Sequence, residues 1–207
     1  RKPYWAFRGK SAMNNYTFQA PMKIIFGQDT LDQIAQEIEG SRIFIVMDRF
    51  LYESPLKTRM DTILAEQEIR YFTAFQSNPD FDSINQALRE IQAFDATTVI
   101  GIGGGSTLDC SKAICAGVPY AGDPWELVLD RTKVQDCLPL ITVLTMAATG
   151  SEMDNIAVIS NPETKDKRGF SSYGMYPRFS ILDPVYTFTV PRSQTAAGTA
   201  DIMSHIM

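Results

Sequence analysis

Residues 99–102 form an apolar, strand-like run that passes directly into Gly103, Gly104 and Gly105, and Ser106 and Thr107 then open a helical segment. Glycines let a ligand approach the backbone closely, and a helix N-terminus offers unpaired N–H groups to a phosphate. The order G-x-G-G-G-S is close to a dinucleotide fingerprint without its final glycine, and the absence of a lysine before Ser106 excludes a Walker A loop. A tight strand-to-helix turn also needs glycine, but three in succession exceed that need, so phosphate binding is the stronger reading. Asp48 closes a second strand-like run. An acid at a strand's carboxyl end can accept both hydroxyls of an adenosine ribose, and it would repel a 2′-phosphate, which favours NAD over NADP. Arg49 beside it could neutralise that phosphate. A helix cap or turn residue is an equally simple role for Asp48.

Residues 144–152 (LTMAATGSE) follow a buried run with small and hydroxylated residues. Thr145, Thr149 and Ser151 could hydrogen-bond a nicotinamide amide or a phosphate, although Thr-Gly-Ser is also ordinary turn chemistry. Lys165, Asp166, Lys167 and Arg168 form a charge cluster that reads, on its own, as a solvated hairpin turn. Asp201 and His205 stand four apart on an expected helix and so share one face. A carboxylate and an imidazole begin a divalent metal site, but a catalytic metal wants at least three protein donors. His205 is the single histidine of the chain, which excludes any site needing two imidazoles from it.

The elements that must position these groups alternate. Strands are expected at residues 23–27, 42–48, 69–75, 97–102, 138–145, 155–160 and 178–182, and helices at 30–39, 52–66, 81–94, 106–116 and 193–207. Strands alternating with helices of this length predict an α/β fold with a Rossmann-like parallel sheet covered on both faces. Residues 13–190 make that domain. Residues 1–12 hold Arg1, Lys2, Arg8 and Lys10 without an acid and read as a leader, to be kept out of fold reasoning. The chain stops at Ile206 and Met207 without a cap or polar tail, as if cut within the first helix (residues 191–207) of a further domain.

The 207 residues, 44% of them hydrophobic, suffice for a packed core, and 19 basic against 24 acidic residues leave a net charge of −5. Nucleic acid and anionic membrane are therefore disfavoured as partners, since both require clustered positive charge. No apolar run is long enough to span a bilayer. Three cysteines without a C-x-x-C pair fit reduced thiols in a cytoplasmic protein.

GGGSTLDCSKAI at 103–114, ATGSE at 148–152 and LDPVYTFTVPRSQTAAGTADIMSH at 182–205 together resemble the iron-containing alcohol dehydrogenases, and GVPYAGDPW at 117–125 resembles their butanol dehydrogenase branch. The resemblance runs from Met13 to Met207. It implies an N-terminal NAD(P)-binding domain whose helical, metal-binding counterpart is missing, and hence little normal turnover. Gly103, Gly104, Gly105 and Ser106 would hold the pyrophosphate, Asp48 the ribose, and Asn78 would lie near the adenosine half. Thr145, Thr149 and Lys167 would line the nicotinamide end, which gives the charge cluster a second reading. Asp201 and His205 would be the first two of four ligands to iron, or to zinc. The substrates implied are small primary alcohols or aldehydes, and a homodimer is a possible assembly. Met146 and Ala148 depart from the family's usual TTAGTGSE, where a hydroxyl and a glycine stand. The alternative is a nucleotide- or metal-binding module of the same descent without turnover.

Overall fold

The computed structural model describes residues 17, 19–74 and 79–207. In chain order the elements are β1 (Lys23–Phe26), α1 (Ile34–Glu37), β2 (Arg42–Met47), α2 (Arg49–Tyr52), α3 (Pro55–Ile63), β3 (Glu68–Phe72), α4 (Phe81–Phe94), β4 (Thr98–Gly103) and α5 (Gly105–Gly117). There follow α6 (Trp125–Leu129), β5 (Leu140–Leu144), β6 (Ile156–Asn161), β7 (Asp166–Ser171), β8 (Phe179–Leu182) and α7 (Arg192–Ile206). No helix among the described residues is long and apolar enough to cross a membrane.

Six strands form one sheet in the order β1-β8-β5-β4-β2-β3, and every neighbouring pair is parallel. Alternate residues of a strand face opposite sides, and both sides here are apolar. Phe44, Val46, Val99 and Leu140 pack against α4, α5 and α6, while Ile43, Ile45, Met47, Ile100, Ile102, Ile141 and Val143 pack on the side of α1 and α3. That double burial is why β2, β4 and β5 read as continuous hydrophobic runs. The expected α/β, Rossmann-like sheet is present.

Three local expectations need correction. The helix expected over residues 52–66 is two helices, α2 and α3. Pro55 restricts the residue before it, and Ser54 is accordingly extended (φ −104°, ψ 166°) and caps α3 by accepting from the Leu56 amide at 3.3 Å. The helix expected over 30–39 is a 3-10 turn, Leu31–Gln33, followed by the single turn α1. The strand expected at 155–160 lies outside the parallel sheet. As β6 it pairs antiparallel with β7, and this two-stranded ribbon covers α5 with Ala157, Ile159 and Phe170. Lys165 sits in the intervening turn at φ 56°, as a hairpin reading requires, but Asp166, Lys167 and Arg168 belong to β7.

The chain direction reverses around β4. From β2 the chain moves out to β3 at one edge, and from β4 it moves to β5 on the other side. In open parallel sheets such a reversal leaves a crevice at the strands' carboxyl ends, where ligands bind. Helix α5 closes on that region because β4 carries no side chain at Gly101: a methyl there would lie 2.5 Å from Ser111 Oγ and 3.3 Å from a Leu108 methyl. Gly101→Ala should therefore push α5 off β4. Overpacking of this kind costs about 1–3 kcal/mol, and urea denaturation should show a lower midpoint with an unchanged slope.

Candidate functional site

The crevice predicted by topology is an open cleft of about 900 Å³, bounded by Asp48 and Arg49 after β2, Gly104 to Thr107 after β4, Thr145 and Met146 after β5, Thr189, Val190 and Pro191 before α7, and Gln194 in its first turn. Its floor is the turn from β4 into α5. Gly104 is the residue before the helix, extended at φ −86°, ψ −174°, and no side chain caps the helix there. None of Gly103, Gly104 and Gly105 has a positive φ, so space, and not backbone handedness, explains the run.

The three glycines differ in what surrounds them. A methyl at Gly103 would come within 2.7 Å of Thr107 Cβ and 3.0 Å of Asp48 Oδ2. At Gly105 it would meet Thr149 Oγ1 at 2.5 Å. At Gly104 the nearest atom is Met146 Cβ, at 3.6 Å. Gly103 and Gly105 are thus bare so that the protein can close on itself. Gly104 is bare towards the cleft. An uncapped helix N-terminus with an open approach is a cradle for an anionic group.

Asp48 stands beside Gly103, where the carboxyl ends of β2 and β4 adjoin. It precedes α2 in the capping position, but its side chain makes no cap bond; its Oδ2 accepts from the Thr107 hydroxyl at 2.9 Å. Burial pushes the Asp48 carboxyl above the ordinary aspartate range, and the Thr107 hydrogen bond draws it partly back. A half-buried acid whose second oxygen remains available suits a neutral hydroxyl donor. Thr107, which holds it, was not among the residues singled out from sequence; its hydroxyl at the mouth of the glycine turn is the signal that could have identified it.

Thr145 is buried at the end of β5, where its amide bonds Gly103 O at 3.0 Å. Thr149 sits beneath Gly105, and its hydroxyl accepts from the Ser151 amide at 3.3 Å. Ser106 lines the cleft beside these residues. Asp48, Gly103, Gly104, Gly105, Ser106, Thr145 and Thr149 are therefore brought together. Lys167 lies on β7 opposite Ser160, exposed, and is not among the residues lining the cleft. Asn78 lies outside the described residues. Ser151 is turned inward, between Asp109 and Lys112 of α5, at 2.7 Å and 2.9 Å.

Asp201 and His205 stand one turn apart on α7, with His205 Nε2 3.6 Å from Asp201 Oδ1 and both side chains substantially exposed. Gly198, the one buried residue of α7, seats the helix: a methyl there would lie 2.9 Å from the Ala147 carbonyl oxygen. No group of three or more His, Cys, Asp or Glu side chains converges as a metal site among the described residues.

The model for the family described as "Iron-containing alcohol dehydrogenase" matches residues 21–184. NADH-dependent butanol dehydrogenase A of Clostridium acetobutylicum is 44% identical over 198 residues, which cover 93% of this chain and 51% of that protein. A crystal structure of NADH-dependent butanol dehydrogenase A from Thermotoga maritima superposes with a TM-score of 0.90 at 34% identity, covering 94% of this chain and 50% of that one. Sulfoacetaldehyde reductase from Bifidobacterium kashiwanohense, solved in complex with NAD+, superposes with a TM-score of 0.85 at 26% identity over 92% of this chain and 52% of that one. The chain spans about half the length of the curated relatives it matches.

The burial of Asp48 has a consequence for stability. Its folded-state pKa is raised, so the folded protein holds the proton more tightly than the unfolded chain, and stability falls as pH rises above the ordinary aspartate range. Asp48→Asn keeps the oxygen that accepts from Thr107 and removes the charge. It should melt a few degrees higher than the parent at pH 7. That advantage should shrink as pH is lowered towards 4 in parallel thermal denaturations.

Proposed function

We propose, because this chain belongs to the iron-containing alcohol dehydrogenase family, that it binds NAD(H) in the cleft above β2 and β4 and contributes two metal donors to the interconversion of short primary alcohols and aldehydes. The observation that carries this reading is Gly104. It opens the N-terminus of a 13-residue helix towards the cleft, with no side chain capping it and Met146 Cβ, 3.6 Å away, the nearest atom beyond its chain neighbours to an added methyl among the described residues. The backbone amides at Gly104, Gly105 and Ser106 would hold the pyrophosphate, with Gly103 allowing the turn to close. Asp48 would accept the ribose hydroxyls, which favours NAD over its 2′-phosphorylated form. Thr145 and Thr149 would orient the nicotinamide end. The roles expected of Asn78, at the adenosine half, and of Lys167, at the nicotinamide end, rest on the sequence resemblance alone.

Asp201 and His205 fit a divalent first-row metal by the chemistry of their donors, a carboxylate and an imidazole on one helix face. Iron is the family's metal, and zinc suits the same pair. When bound, the metal supplies Lewis acidity for an alcohol oxygen and the nicotinamide supplies the hydride acceptor. Two donors are fewer than a catalytic metal needs, so further ones would have to approach α7 from elsewhere. The absence of a converging third donor among the described residues favours a second reading, a nucleotide-binding unit without turnover of its own.

Titration with NADH, followed by fluorescence, tests the first reading. Gly104→Val should weaken binding about tenfold or more, a loss of at least about 1.4 kcal/mol, while the melting temperature stays near that of the parent. Unchanged affinity would remove the phosphate cradle from the turn. Incubation with butanol, NAD and Fe(II) or Zn(II), following reduced-cofactor absorbance, separates the two readings. Sustained turnover by the 207-residue chain excludes the non-catalytic unit.

A further inference from the structure

Lys112 is a fully buried lysine in the middle of α5, and it lies outside the cleft. Its ammonium donates to Asp154 Oδ1 at 2.6 Å, to Ser151 Oγ at 2.9 Å and to the Ile156 carbonyl at 3.0 Å, so all three hydrogens are used. Ser151 in turn donates to Asp109 Oδ1 at 2.7 Å, and Asp109 Oδ2 accepts from the Val158 amide at 3.0 Å. Two side chains one turn apart on α5 thereby hold the second half of the segment that leads from β5 into β6, at Ser151 and Asp154, and the start of β6, at Ile156 and Val158. Burial pulls the Lys112 amine down and pushes the Asp109 carboxyl up. Such a cluster adds little net stability over an apolar filling of the same shape, and α5 is buried on all sides by residues that could have supplied one. What the charges add is a fixed position.

The segment they hold carries two other contacts. Thr149 is the residue against which Gly105 closes, and Ala147 is the seat of Gly198 on α7, three residues before Asp201. We propose that Lys112 is a positioning residue. Through Ser151 and Asp154 it fixes the segment 147–154, and this segment keeps both the phosphate-binding turn and helix α7 in register with the cleft. The inference rests on the nucleotide-binding reading above for its effect on affinity, and on the bonds of Lys112 alone for its effect on the segment.

Lys112→Met retains the length of the side chain and removes all three bonds. NADH affinity, measured on protein shown by circular dichroism to be folded, should fall about tenfold. Hydrogen exchange should show amides of 147–154 and of α7 losing protection while β2, β4 and β5 retain theirs. A lower melting temperature with NADH affinity within about twofold of the parent and unchanged exchange at 147–154 would make Lys112 a purely structural residue and overturn the proposal. Should Lys112→Met fail to fold, Ser151→Ala leaves the bonds of Lys112 to Asp154 and Ile156 and cuts the bridge to Asp109; affinity about threefold weaker or worse is expected, and parental affinity overturns the proposal. If the parent itself does not bind NADH, the nucleotide reading fails, and the exchange pattern of the variants alone decides whether Lys112 governs the segment.

Discussion

Contact between α5 and the carboxyl ends of β4 and β5 is close enough that the chain has no room for a Cβ at three points. A methyl would strike Ser111 at Gly101, Thr107 at Gly103 and Thr149 at Gly105. This approach brings the helix terminus down onto the crevice that the strand order opens between β2 and β4. It also lets Thr107 reach Asp48 at the end of the neighbouring β2, 59 residues away in sequence, and lets Thr149 sit under the glycine turn. Groups contributed by three strand ends become one site because one helix is pressed against the sheet. Had a side chain of any size intervened, the helix would stand off and the crevice would be a shallow groove between loops.

Much of this was legible from sequence for a simple reason. A parallel strand buried on both faces has to be apolar throughout, so the runs that became β2, β4 and β5 announce themselves. The strand-to-helix turn falls at the glycine run, and Asp48 directly follows a buried strand. What stayed hidden depends on partners distant in the chain. Nothing local distinguishes Gly104, which faces open space, from Gly103 and Gly105, which face Thr107 and Thr149. The split between α2 and α3 was available from Pro55 alone, since proline fixes its own backbone and constrains Ser54. β7 was missed because DKRGFS turns only Phe170 inward, too little alternation to show as a strand. Lys112, three residues after Asp109, has the spacing of a solvated ion pair; it is interior where Ser151, Asp154 and the start of β6 close over it.

The site and the core follow opposite rules. Within the sheet the side chains are apolar and closely packed. At the cleft Asp48 is held in surroundings that raise its proton affinity, and behind the cleft, along α5, burial raises that of Asp109 and Glu152 and lowers that of Lys112. Glu152 Oε2 is buried with no hydrogen-bond partner among the described residues. Arrangements of this kind cost stability and persist where a geometry must be kept. Two strong hydrophobic layers on either face of the sheet make that cost affordable.

The differing surroundings of the three glycines also decide which faults can be detected from outside. Positions 103 and 105 are monitored by the fold itself: enlarge either, and the damage registers as a misfolded or short-lived chain that cellular quality control can remove. Position 104 has no such monitor. On the phosphate-cradle reading proposed above, a chain altered there would accumulate as a sound and abundant molecule, invisible to any screen that scores expression or melting and exposed by one for ligand.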